Sequence, residues 1–333
     1  MIRLGTIGTN WITQRMVDAA VTTKQYKLAA VYSRHLETGK QFATKNHRQR
    51  TYTDLDDFFA SDIFDTVYIA SPNVFHYGQI MQALQHEKNV IVEKPMVLST
   101  YQYQSVMDEL DRHPQLHLFE AARNIHMPAF KAVLQAIDNL NHIDGGDFTF
   151  SQYSSRYDKV LAGMKPNVFN PQFGGGALAD LGVYPVYAAV ALFGLPKRQQ
   201  YFPTFIQTGV DGKGTAVLNY EQFDVILNFS KISSSNHDSE IYSGKKTITI
   251  DNAGEFTSAS VVSNDSDEKL SPFYQGNPMV PELTDFAEVL NHPSDEPSRK
   301  MYFQWMQQMQ QVNLLMSRLA ASAGIEYPNK TKE

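Results

Sequence analysis

Two kinds of apolar pattern alternate along the first 120 residues. Short apolar runs occupy 2–7, 28–32, 66–70, 89–92 and 116–119, and they lack the polar alternation of a half-exposed strand. Between them, 11–21, 74–84 and 100–110 carry apolar residues at helical spacing. Buried strands separated by helices predict a parallel sheet covered on both faces. Such sheets take ligands beyond the carboxyl ends of their strands.

Past residue 120 the pattern changes. Segments 148–153, 216–219, 223–229, 239–242 and 246–250 read as strands, and FDVILNF at 223–229 alternates most clearly. Gly212-Lys213 and Gly244-Lys245 stand in or near the expected turns. This predicts an antiparallel sheet with helices on one face. One covering helix is expected over 177–192, with Pro185 kinking it or marking its start. Another is expected over 299–321, where Tyr302, Trp305, Met309, Val312, Met316 and Leu319 form an apolar stripe. The expected class is α/β, with a parallel-sheet domain over 1–120. An α/β domain with a largely antiparallel, open sheet is expected over 121–333.

Composition narrows the function classes. A chain of 333 residues fits two domains. A net charge of −6 without a long basic run argues against a nucleic-acid partner. The absence of cysteine excludes disulfides, thiolate metal sites and cysteine nucleophiles, and fits a reducing, cytoplasmic compartment. MIRLGTIG enters the strand pattern with no apolar signal core, and no run approaches 18 apolar residues, so no membrane span is expected. There is no H-E-x-x-H, and Pro114 interrupts helix between His113 and His117, so no metal centre is expected.

Candidate chemistry lies at the strand ends. In NVIVEKPMVLST, 89–100, a buried strand closes on Glu93 and Lys94 and stops at Pro95. After the first strand comes GTNWIT, 8–13, where a dinucleotide-binding turn wants G-x-G-x-x-G/A. Gly8 matches, while Asn10 and Thr13 replace the other two small positions. Asn tolerates left-handed backbone, and the N–H groups of the following helix can meet an anion. A tight strand–helix turn with no ligand would read the same way. The second strand ends in Ser33 and Arg34 rather than the acidic residue that holds an NAD ribose. Arg34 can pair with a 2′-phosphate or stack on adenine, which favours NADP(H) over NAD(H).

Three further stretches line up in order: IASPNVFHYGQIMQAL at 69–84, VIVEKPMVLS at 90–99 and GGGALADLGVYPV at 174–186. With the first turn, they make the chain resemble the Gfo/Idh/MocA oxidoreductases over nearly its whole length. The resemblance implies a Rossmann domain followed by an α/β domain with an open sheet. It implies cofactor contacts at Gly8, Thr9, Asn10, Trp11, Ile12, Ser33 and Arg34. It places Ser71, Pro72 and Asn73 under the nicotinamide half, with His76, Glu93 and Lys94 nearby. It also implies a homodimer or homotetramer formed through the open sheet. Tyr184, four after Asp180, stands where many members carry His, as in the branch of dihydrodiol and sugar dehydrogenases. The pattern departs after Glu120: in EAARNIHMP, Ile125 occupies the usual arginine position, and Arg123 or His126 is left to compensate.

The expectation is hydride transfer between a nicotinamide and a hydroxyl carbon of a small sugar, polyol or diol. Lys94, Asp180 and Tyr184 are the catalytic candidates. Tyr184 is a base whose pKa, ~10 when free, a lysine would lower. The alternative is proton transfer by Lys94 itself. Asp180 would orient the substrate. Arg123, Tyr153, Arg156 and Phe173 are candidates for the substrate lining. A rival reading is a dinucleotide-binding regulatory protein on the same fold. The presence of Lys94, Asp180 and Tyr184 together argues against it.

Overall fold

The computed structural model describes residues 1–47 and 50–328. They form two compact units, Met1–Ala121 with Met279–Gln307, and Ala122–Pro278 with Gln308–Pro328.

The first unit is built on β1 (Ile2–Ile7), β2 (Tyr26–Tyr32), β3 (Thr51–Tyr52), β4 (Thr66–Ile69), β5 (Asn89–Glu93) and β6 (Leu118–Ala121). They run in the order β3-β2-β1-β4-β5-β6 with every pair parallel. The connecting helices are α1 (Trp11–Thr23), α2 (Leu36–Lys45), α3 (Leu55–Phe59), α4 (Asn73–Gln85) and α5 (Thr100–Leu110). Leu4, Val67, Ile69, Val90, Ile91 and Val92 are buried. Covering both sheet faces removes any reason for polar alternation, which accounts for the unbroken apolar runs. The strand order reverses between β1 and β4, and the crevice at such a reversal is where this architecture binds ligands. The sequence pattern does not reveal β3, only two residues long, or α2, whose buried side is little more than Phe42 and Ala43.

The second unit holds α6 (Pro128–Ile137), β7 (Gly145–Ser151), α7 (Tyr157–Leu161), α8 (Val183–Phe193), β8 (Arg198–Phe205), β9 (Asp211–Asn219), β10 (Asp224–Ser230), β11 (Ser239–Ser243), β12 (Lys246–Ile250), β13 (Ala259–Ser263) and β14 (Asp267–Ser271). Its sheet runs β14-β13-β12-β11-β7-β10-β9-β8. Of its pairings only β10 with β7 is parallel. The two outermost strands escape the sequence reading for a physical reason: edge strands carry Pro and charge, here Pro203 and Asp267-Glu268-Lys269, so their apolar signal is weak. Gly212-Lys213, expected in or near a turn, lies at the start of β9 just after the turn at 207–210.

Phe148, Tyr201, Leu218, Val225, Leu227, Phe229 and Ile241 are buried in one core with α8. The alternate positions Asp147, Ile226, Asn228, Glu240 and Tyr242 fall on the other, more open face. The stretch Pro171–Phe193 is long and apolar enough to cross a membrane, with mean hydropathy 1.5, but 72% of its window is buried within the protein. It is the core helix of this unit, apolar all round because it is enclosed.

The chain's last helices are α9 (Met279–Asn291) and α10 (Glu296–Ser322). Here the expected assignment of everything beyond 120 to the second domain needs correcting, because Met279–Gln307 belongs to the first unit. Phe119 stacks on Phe286 at 4.6 Å, and Tyr302 and Trp305 meet the same ring edge-on. The Tyr26 hydroxyl donates to the Leu283 carbonyl at 2.8 Å. The expected stripe on α10 therefore serves two cores. Met301, Tyr302 and Trp305 join the first, while Val312, Leu315 and Leu319 join the second.

Candidate active site

In the first unit the site begins where β1 ends. Gly8 has φ +107°, and a Cβ there would lie 2.9 Å from the Ala70 carbonyl, so only glycine fits. Asn10 then caps α1. Its side-chain carbonyl accepts from the N–H groups of Ile12 and Thr13 at 2.9 and 3.2 Å, and its amide donates to the Ala70 carbonyl at 3.3 Å. The expected free helix end is thus partly closed, with two of its donors taken by Asn10. The N–H groups of Asn10 and Trp11 have no partner among the described residues. A glycine turn without room for a side chain, next to free N–H groups at a helix start, fits a dinucleotide pyrophosphate. Trp11 is exposed at the first helical position, Ile12 is half-buried, and Thr9 precedes the cap. At the end of β2, Ser33 is buried: its N–H donates to the Tyr52 carbonyl and its hydroxyl accepts from the His35 N–H. Arg34 stands exposed beside it.

Beyond β4 comes Ser71-Pro72-Asn73, with the Ser71 hydroxyl donating to Gln79 at 2.7 Å and Asn73 opening α4. His76 is fully buried. Its Nδ1 lies 3.0 Å from the Pro95 carbonyl and its Nε2 2.9 Å from the Ser71 carbonyl. Burial pushes its pKa below the ordinary value, against the pull of the two carbonyls, and the Lys94 charge adds to the lowering. A neutral imidazole donates from one nitrogen only, so one of these contacts is a hydrogen bond at a time. His76 nevertheless ties the Ser71 turn to Pro95. The Lys94-Pro95 peptide is cis. The Glu93 carboxylate accepts from the Tyr68 hydroxyl at 2.6 Å, and the Met96 N–H donates to Glu120 at 2.8 Å. Half-buried Lys94 is therefore held between fixed neighbours on both sides.

In the second unit, Gly174, Gly175 and Gly176 lead into the core helix. A Cβ on Gly175 would meet the Asn167 and Val168 backbone at 2.8 Å. Gly176, at φ +132°, would drive a Cβ to 2.1 Å from the Asp211 carboxylate. Leu178–Gly182 then makes a single π-helical turn before α8. Asp180 and Tyr184, expected on one helical face, meet different partners. The Asp180 carboxylate pairs with the ammonium of buried Lys231, which lies 5.0 Å from the Phe169 ring. The Tyr184 hydroxyl accepts from the Arg123 guanidinium, which also covers the Tyr184 ring at 4.6 Å. Arg123 pairs in turn with Glu255 at 3.3 Å. Asn124 donates to the carbonyls of Tyr184 and Ala253, both at 2.9 Å. Ile125 is in the core, and the guanidinium beside Tyr184 is that of Arg123.

Of the remaining candidates, Tyr153 is exposed and donates its hydroxyl to Asp158 at 2.6 Å. Arg156 is exposed at the start of α7, and Phe173 is half-buried ahead of Gly174.

Sequence reasoning missed Lys231, Glu255, Asn124 and Asp211. Lys231 had a signal, because it follows the end of a buried strand as Lys94 does. Asp211 had none, because nothing in VDGKG at 210–214 sets it apart from an exposed aspartate. It is nonetheless buried, accepting from the Leu178 N–H at 2.6 Å and the Tyr201 hydroxyl at 2.7 Å. Burial raises its pKa to about 6 in spite of these donors.

A doubly wound parallel sheet with a glycine turn at the strand-order reversal defines a dinucleotide-binding protein. Residues 2–120 match the family model described as an oxidoreductase family with an NAD-binding Rossmann fold, and residues 146–249 match the GFO/IDH/MocA C-terminal domain. The chain is 38% identical to the uncharacterised oxidoreductase YgjR of Escherichia coli strain K12, over 89% of this chain and 91% of that one. It is 39% identical to the scyllo-inositol 2-dehydrogenase (NADP(+)) IolU of Bacillus subtilis strain 168, over 75% of this chain and 76% of that one. Among solved structures, KijD10, a 3-ketoreductase from Actinomadura kijaniata in complex with NADP and TDP-benzene, superposes with a TM-score of 0.83. It covers 98% of this chain and 99% of its own at 20% identity, a likeness of fold. The chain belongs to the Gfo/Idh/MocA family of oxidoreductases.

Proposed function

We propose that this protein is an NADP(H)-dependent dehydrogenase of a small sugar, polyol or diol. On this reading Lys94, Asp180 and Tyr184 act on a secondary hydroxyl or its ketone. The observation that carries the reading is the polar constellation at the start of the core helix, where Asp180 and Tyr184 each meet a cation. The 39% identity to an NADP-dependent inositol dehydrogenase supports the substrate class.

The dinucleotide would be held at Gly8, the Asn10 and Trp11 N–H groups, Arg34 and the Ser71-Pro72-Asn73 turn. When bound, it supplies the hydride donor or acceptor. The chain's own residues handle the proton. In the oxidative direction the substrate hydroxyl gives its proton to the Tyr184 oxygen, and in reduction Tyr184 returns it. Lys94, which closes its strand, is the alternative proton carrier. Asp180, paired with Lys231, accepts from a neighbouring hydroxyl and orients the ring. A polyol offers that second hydroxyl.

The test is a screen of inositols, pentoses and small diols with NADP, with Lys94→Ala as the control. The expected outcome is turnover of at least one polyol, lowered by ~10²–10⁴-fold in Lys94→Ala. NADPH should bind more tightly than NADH, with the difference lost in Arg34→Ala. Full turnover in Lys94→Ala, or equal binding of both cofactors, would overturn the corresponding part of the reading.

A further inference from the structure

We propose that Arg123, clamped by Glu255, is the positioning residue of Tyr184: it holds the phenolic oxygen as an acceptor and favours its ionised form. This assignment rests on the reading that Tyr184 handles the proton, and it takes Arg123 out of the substrate lining expected from sequence.

Three contacts within one unit carry it. The Arg123 guanidinium donates to the Tyr184 oxygen and covers the ring face at 4.6 Å. The other arm of the guanidinium is anchored on Glu255 at 3.3 Å, so the cation keeps one orientation. Asn124, the next residue, fixes the Tyr184 backbone and ties it to Ala253. Arginine has donors only. A phenol that accepts from it must turn its own O–H away from the guanidinium.

Charge works in the same direction. Tyr184 is buried, and burial alone disfavours phenolate. The charged groups that these contacts bring around it are Arg123, Glu255, Asp180 four residues earlier, and Lys231 on Asp180. Each carboxylate is already paired with a cation, while Phe150 contributes only an edge-on ring. Arg123 is the group in direct contact with the oxygen, and an adjacent permanent cation outweighs more distant, compensated pairs. Lysine would be a poorer substitute, since it cannot hold Glu255 and the phenol at once in one plane.

The decisive experiment is a pH titration of tyrosinate absorbance on the full chain. Subtracting Tyr184→Phe isolates one of the 17 tyrosines. In the wild type the isolated group should ionise below the free value of ~10. In Arg123→Met it should ionise at least ~1 unit higher, and Arg123→Lys should recover part of the shift. Turnover should follow: in Arg123→Met kcat falls, KM changes little, and the pH limb of the oxidation moves upward with the tyrosine. A substrate-lining arginine would instead raise KM and leave the tyrosine titration alone. The proposal is overturned if Tyr184 ionises at or above the free value in the wild type, a result that stands even if Arg123→Met does not fold. It is equally overturned if the titration is unchanged in Arg123→Met. Should Tyr184→Phe retain full turnover, the proton role of Tyr184 fails, while the absorbance still decides the placement of Arg123.

Discussion

At the scale of single residues, the second unit solves the cost of buried charge by pairing. Lys231 is almost entirely enclosed, and the Asp180 carboxylate meets its ammonium while an aromatic face lies beneath. Removing one member of such a pair leaves the other desolvated, whereas removing both can come close to neutral. Asp180 is about one-third exposed, so water offsets part of the penalty. Lys231→Met is therefore expected to cost ~1–3 kcal/mol of stability. The double variant with Asp180→Asn should regain part of it. A double-mutant cycle by urea unfolding measures the coupling, and additive losses would show that the pair does not act as one.

At the scale of elements, the π turn Leu178–Gly182 needs an anchor, because a wider turn leaves backbone donors misaligned with the helix that follows. Asp211, from the start of β9, is that anchor. It accepts from the Leu178 N–H, and Gly176 has no side chain because the carboxylate fills the space. Burial raises the Asp211 pKa from 3.8 to about 6, so the folded state binds this proton more tightly than the unfolded state does. The group's contribution to stability is then fully present below its ordinary pKa and is lost as pH rises through about 6. The two values differ by an amount equivalent to ~3 kcal/mol. Relative to Asp211→Asn, which cannot titrate, the wild type should lose stability between those two pH values and hold constant above them. Urea midpoints of both proteins across that range measure the difference, and parallel pH curves would refute it.

At the scale of the whole molecule, the first unit is not continuous in sequence. Its sheet is complete by Ala121, yet Phe119, Met16 and Ala20 pack against Phe286, Leu283 and Trp305 from α9 and α10. Without those helices a large apolar face would be bared, and burial at ~25 cal/mol per Å² of apolar surface would be forfeited over it. A chain ending at residue 121 is expected to lack a cooperative unfolding transition. Joining 279–307 to it through a flexible linker should restore one, as read by circular dichroism on heating. Cooperative unfolding of the shorter fragment would show that the helices are dispensable.

What could be read from the sequence were the features that local physics writes locally. A strand covered on both faces reads as an apolar run, an open sheet reads as alternation, and Lys94 stands out because a charge at the end of a buried strand is costly without purpose. The motifs around Gly8, Ser71, Lys94 and Asp180 supplied the family for the same reason: each is a short contiguous piece. The edge strands β8 and β14 were hidden because edges need little apolar surface. The return of 279–307 was hidden because an apolar stripe does not say which core it enters. Likewise no local pattern joins Arg123 to Tyr184, 61 residues away, or Lys231 to Asp180, 51 residues away. Those partners were chosen by tertiary structure alone, since the cost of a buried charge falls on whatever the fold brings within reach.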